Sequence, residues 1–328
     1  MKSIHQYSLT IVLSLATSFF CFAKNTPAKT FSKWENNLKQ IEVSFQKGYY
    51  SDVLMRGTKM VKDIGKSEFR NDSYLVRANI FQLRANLAKN NFEVLAPMLD
   101  SVNQQLARIP KDSITAQYSA KTSLMDYYLE AGYAINAVSV ATELLPLMAK
   151  TSLKYSSNLV KIQLVRAYLM QGSVNESINL ISVLEEQMVA FVNNSKMGED
   201  GIESKNKISS AAKKQRKLTY AHILNLKARV LFTQGDYNAV RLQLKNNLKW
   251  IKKNIGSTNE CYREHCKLQA EFFLAFDNHR DAAKYYLKGF KVGGLRKAAQ
   301  QKLEMNELLV NEYIMTNKPS KIKKYTRR

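Results

Sequence analysis

Apolar residues recur along this chain at spacings of three and four, and strand-like alternation is absent through long stretches dominated by Leu, Ala, Lys and Gln. Proline is limited to five residues and glycine to twelve, so little interrupts a helical pattern that the periodicity predicts almost throughout. Six residues that tolerate left-handed backbone punctuate it: Gly48, Asn90, Gly132, Gly172, Gly235 and Asp277, spaced by 42, 42, 40, 63 and 42. Each can end one helix and let the chain reverse into the next. Four residues before each turn stand Ser44, Asn86, Tyr128, Tyr168, Leu231 and Phe273, placed to fill the gap between helices. Five residues after it stand Val53, Leu95, Ala137, Ser177, Val240 and Ala282, predicted to be buried. A period of about 42 with two helices predicts one antiparallel hairpin per repeat, about six hairpins in all.

The 63-residue spacing holds an insertion of about 21 residues relative to that period, supplied by residues 193–217. Its Gly198 to Gly201 breaker and its Lys205, Lys207, Lys213, Lys214, Arg216 and Lys217 predict an exposed, basic loop or extended helix tips. Gly293 and Gly294 then break the chain, a capping helix is expected within 293–317, and residues 318–328, six of them basic, read as a disordered tail.

The repeats resemble the tetratricopeptide family. The unit that carries the resemblance best runs from Leu224 to Val240, with Ala228 upstream of a Gln234-Gly235-Asp236-Tyr237 turn. Ala270, Phe273, Ala282 and Tyr286 form a second match, and Ala167, Tyr168, Gln171 and Gly172 a third. The long period is similar to the variety in kinesin light chains, with Gly65 and Gly256 where that variety ends its second helix. The resemblance spans about residues 34–291 and implies an all-α solenoid, continuous over 24–292. Seven residues before the turn the family has a small residue, whereas this chain has Ile41, Leu83, Met125 and Val165 in the first four repeats.

Residues 1–23 have the pattern of a secretory signal peptide, with Lys2 ahead of a fifteen-residue apolar run from Leu9 to Ala23. Cleavage before Lys24 is expected, with lipidation at Cys21 as the rival reading, and the localisation expected is the periplasm or secretion. No later run reaches eighteen consecutive apolar residues, so no transmembrane span is expected after cleavage. The net charge of +23 favours anionic partners, or serves only to keep an elongated chain in solution. Export argues against nucleic acid and points to acidic protein, anionic envelope polysaccharide or lipid head groups. After cleavage two cysteines remain, Cys261 and Cys266. An oxidising compartment favours a local disulfide between them, with free thiols or a metal as alternatives; His265 would add only one further metal ligand.

Catalytic signatures are missing. His222, His265 and His279 show no metal-ligand spacing, and no nucleophile elbow, P-loop or dinucleotide fingerprint occurs. No enzyme activity, cofactor or metal is therefore expected. The family resemblance implies instead that first helices line a groove, with the positions six and thirteen before each turn facing it. Arg84, Arg166 and Arg229 occupy the six-before position, Arg77 a thirteen-before position, and Asp126 and Glu271 the six-before position of the third and sixth repeats. Arginine presents a planar fork that matches carboxylates, so this ladder suits capture of an acidic peptide or protein segment. The same arginines could equally be consumed in ion pairs with neighbours such as Asp126 and Glu271.

Overall fold

The computed structural model describes residues 26–151, 153–194, 196–198, 200–201, 208–292 and 299–326, with backbone alone for 299–305. Residues 1–23, expected to be a signal peptide, with Cys21, and also Lys205 and Lys207, lie outside the described residues. Helices account for nearly all of what is described, and no strand occurs among those residues. The first helices of the hairpins are α1 (Pro27–Gln46), α3 (Asp72–Ala88), α5 (Ile114–Glu130), α7 (Lys154–Gln171), α9 (Ser210–Thr233) and α11 (Glu260–Leu274). Their second helices are α2 (Tyr50–Gly65), α4 (Leu95–Ala107), α6 (Ala134–Ala149), α8 (Val174–Asn193), α10 (Tyr237–Asn254) and α12 (His279–Phe290). A last pair, α13 (Ala299–Met315) and α14 (Pro319–Thr326), packs on α12.

All six anticipated turn residues take positive φ, from 52° at Asp277 to 81° at Gly132. At each of them the amide following the turn residue donates to the carbonyl four residues before it, as in Tyr49 N to Ser44 O (2.9 Å) and Asn278 N to Phe273 O (3.0 Å). This six-to-one bond is the Schellman closure, which satisfies carbonyls that the helix end would leave bare. Asn317 repeats it, with φ 49° and Lys318 N bonded to Tyr313 O (2.9 Å). The residues expected to form a lone cap and a disordered tail thus form a seventh hairpin. Proline suits the first turn of α14, whose Tyr325 is buried against Phe290 and Tyr313 at ring separations of 5.8 and 5.7 Å. A basic run can order once its aromatic residue finds an apolar seat.

The two layers differ in how they are buried. Second helices such as α2 and α10 bury one stripe, at five, nine, twelve and sixteen residues beyond the turn: Val53, Gly57, Met60 and Ile64 in α2, and Val240, Leu244, Asn247 and Ile251 in α10. In α4 only Val102 of that stripe is buried, and Leu95, expected to be buried, is partly exposed. First helices are packed by their own partner and by both neighbouring repeats, so α9 buries ten residues spread around its circumference. The seven-before positions are fully enclosed whatever their size, including Ile41, Leu83, Met125 and Val165. Their bulk is accommodated by shape elsewhere: at Gly57 an added Cβ would lie 2.6 Å from Gln82 Cγ, so only glycine lets α2 sit this close to α3.

The insertion after α8 is held more tightly than its charge suggested. Arg216, counted among its exposed basic residues, is buried at 3% exposure. Its guanidinium stacks over the rings of Tyr155 (5.3 Å) and Phe191 (5.2 Å) and donates to Met197 O at 2.7 Å. Lys213 and Lys214 are exposed as expected, on a first turn capped by the Ser209 hydroxyl.

Candidate functional site

The first helices bring their six- and thirteen-before residues into one row, and successive repeats place opposite charges side by side. Glu35 and Arg77, both thirteen before their turns, form a bidentate pair at 2.8 and 3.2 Å. The Arg77 hydrogen bonds hold the Glu35 carboxyl below its usual range against the opposing effect of burial. Arg229 pairs with Glu271 at 3.1 Å, both six before their turns. Arg84 reaches Glu130 with Nε (2.7 Å) and Nη2 (2.5 Å) and lies over the Phe45 ring at 4.5 Å. Three of the four arginines read from the sequence therefore stitch neighbouring repeats together.

Arg166 is different. Its side chain is exposed, and it forms no hydrogen bond or ion pair with any described residue. Its charge acts on Asp126 of α5 and on Glu264 of α11. Burial pushes the Asp126 carboxyl up, opposed by Arg84, Arg166 and a 2.6 Å hydrogen bond from Gln163. Arg166 also lines a cavity of about 890 Å³ between α7, α9 and α11. Leu159, Ile162, Leu169, Met170 and Leu226 give this cavity apolar walls, and Arg229, Arg263 and Lys267 add positive charge opposite Glu260 and Glu264.

Glu264, which the sequence reading passed over, and His222, which it weighed only as a metal ligand, meet in the same cavity at 3.0 Å. They stand at the thirteen-before position of successive repeats, a spacing that could have flagged them. Burial pulls the His222 imidazolium down, but hydrogen bonds to Cys261 and Glu264 outweigh it and hold its pKa well above the usual value. Burial likewise raises the Glu264 carboxyl, and the bond to His222 overcomes this to bring it to about 2. The pair is thus a charged one at neutral pH, and Asn225 braces it with donations to Cys261 O (2.9 Å) and Glu264 Oε2 (3.4 Å).

Cys261 and Cys266 are free and buried, which corrects the expected disulfide. Asn259 caps α11 through the Tyr262 amide, so the helix starts at Glu260, ahead of the first cysteine. Five residues along a helix separate two Cα atoms by about 7.5 Å in rise alone, beyond the roughly 7 Å a disulfide spans. Burial pushes the Cys266 thiol up to about 11, leaving it unreactive. No group of three or more potential metal ligands occurs among the described residues.

No protein-family model matches the chain, and no curated protein matches it either. A solved structure does: the apo form of RapI, a helical repeat protein of the tetratricopeptide kind, superposes with a TM-score of 0.52 at 10% identity, covering 90% of this chain and 74% of RapI. At that identity the likeness concerns the fold, and with the seven Schellman turns it makes this chain an all-α, tetratricopeptide-like solenoid.

Proposed function

We propose that this chain is a non-catalytic scaffold whose groove between α7, α9 and α11 binds an acidic segment of a protein partner. The observation that carries the reading is Arg166, an exposed guanidinium without a hydrogen-bonded partner in the lining of a cavity with apolar walls and a surplus of positive charge. A carboxylate arriving there would meet a planar fork of donors whose charge Asp126 and Glu264 offset only in part. Arg229 contributes from its ion pair with Glu271, whereas Arg77 and Arg84 serve mainly to join repeats. The reading includes export by residues 1–23, which would put the array in the periplasm or outside the cell. RapI, solved in an apo form, supports a repeat array with a site to fill.

The test is a selection of peptides from a random library against the chain from Lys24 onward. Enriched sequences should carry Asp or Glu, and Arg166→Ala with Arg229→Ala should weaken them by about 1–3 kcal/mol per lost charged contact while leaving helicity unchanged. Enrichment of sequences without acidic residues, or unchanged affinity in the double variant, would refute the groove reading.

A further inference from the structure

The outer layer of second helices carries a surface that the groove does not use. On α10 the exposed residues Arg241, Lys245, Lys249 and Lys253 follow one another at intervals of four, a single row with a rise of about 6 Å per step. None of the four forms an ion pair with a described residue, and α10 contains no Asp or Glu. On the next second helix, α12, Arg280, Lys284 and Lys288 repeat the spacing, all exposed, with Asp281 as their sole acidic companion on that helix. The two rows flank one first helix: α10 and α12 both pack against α11, and Lys252 of α10 is near enough to Lys288 of α12 to oppose its protonation. Like charges at intervals of four repel within a helix, so these rows weaken the helices that bear them.

We infer that the outer face of α10 and α12 docks the chain onto an anionic lipid bilayer. Two rows side by side on neighbouring helices make a grid of cations, which matches a sheet of head groups better than it matches a single polyanionic strand. An apolar side chain stands within the grid: Leu242, between Arg241 and Lys245, is 61% exposed. Such a residue gains by entering the boundary between head groups and acyl chains, and gains nothing from a sugar or phosphate polymer. At the head of the same helices Tyr237 and Phe276 are also exposed and touch at 5.2 Å, which extends the apolar contribution to the rim of the face. No helix among the described residues is long and apolar enough to cross a membrane, so the attachment is peripheral.

Flotation of the chain from Lys24 onward, which contains every described helix, tests this with two sets of vesicles: phosphatidylcholine alone, and phosphatidylcholine with about a third replaced by phosphatidylglycerol. The chain should float with the second set and not the first, and be released at high salt. The variant R241Q/K245Q/K249Q/K253Q should lose binding by about ten-fold or more, and Leu242→Ala by a smaller factor, with circular dichroism unchanged in both. Arg166→Ala should float like the parent chain, because the groove plays no part. Equal flotation with both vesicle sets, an undiminished four-site variant, or retention on a soluble acidic polysaccharide without flotation would overturn the inference. If the four-site variant failed to fold, Leu242→Ala alone would decide, since it leaves the charges in place.

Discussion

Helices α8 and α10 occupy the same place in successive repeats, and each buries the stripe that lies five, nine, twelve and sixteen residues beyond its turn. Outside that stripe they are opposites: α8 carries Glu176, Glu185 and Glu186 with no basic residue, and α10 carries five basic residues with no acidic one. The change of sign falls at the insertion between them. Residues 201–328 hold 28 of the 50 Lys and Arg but 10 of the 27 Asp and Glu, so the net charge of +23 belongs mostly to the last three hairpins. A repeat needs only its stripe and its turn to stack, which leaves the other positions free to differ. The composition of the whole chain concealed two surfaces of different character.

The comparison breaks first at the C-terminal end. Removing residues 299–328 should uncover Ala282, Ala283, Tyr286 and Phe290, which pack with Leu309, Tyr313 and Tyr325, and should cause aggregation detectable as increased light scattering. A soluble monomer after that deletion would mean that the seventh hairpin is not part of the array. At the junction, Arg216→Ala should cost about 2–3 kcal/mol in denaturant unfolding, since it removes two ring contacts and a buried charge-assisted hydrogen bond. Lys214→Ala, on an exposed turn of the same insertion, should stay within about 0.5 kcal/mol. Equal effects would show the insertion to be as loosely held as its lysines suggested.

Acid should also act unevenly. His265 in α11 is fully buried, neither ring nitrogen has a hydrogen-bond partner, and burial lowers its pKa to about 4 despite the nearby Glu264, with Lys252 adding to the effect. Its folded pKa lies below the usual 6.5, so the unfolded chain takes the proton first, and stability is lost as pH falls from about 6.5 towards about 4. His265→Leu should flatten that limb of the stability curve. His222 works in the other direction: its raised pKa contributes stability that is complete below about 6.5 and lost as pH rises through the folded value. His222→Gln should therefore remove stability near pH 6 and change little at the alkaline end. Smallest of all, neutralising Arg241, Lys245, Lys249 and Lys253 should raise the unfolding free energy slightly, by about a few tenths of a kcal/mol for each repulsive pair relieved.

What could be read from the sequence follows from how local each feature is. The six turns were legible because a left-handed residue and the carbonyl four before it belong to one hairpin, as does the position five after it, which is buried in every hairpin but the second, where Leu95 is partly exposed. Asn317 obeys the same chemistry, but the lysines around it resembled a solvated tail, and only the seat for Tyr325 on Phe290 and Tyr313 explains why it folds. Cys261 and Cys266 were assigned by compartment when the Asn259 cap, which starts the helix at Glu260, was the stronger signal. The six- and thirteen-before positions of neighbouring repeats do meet, yet the sequence does not say which charges pair. Arg84 passes over Asp126 to reach Glu130, and Arg216 turns inward to two rings, because the superposition of repeats sets those distances.

The pairing of Arg77, Arg84 and Arg229 leaves Arg166 as the position on which the proposed recognition of an acidic segment turns. The direct measurement is the affinity of the chain and of Arg166→Glu for two versions of one selected peptide, the acidic original and a copy with its Asp and Glu replaced by Lys. The parent chain should prefer the acidic peptide, and the variant should lose that peptide by at least about ten-fold, as expected when a charge-assisted contact becomes a repulsion, and bind the lysine copy better than the parent does. Unchanged affinity of Arg166→Glu for the acidic peptide would show that the groove does not read acidic segments.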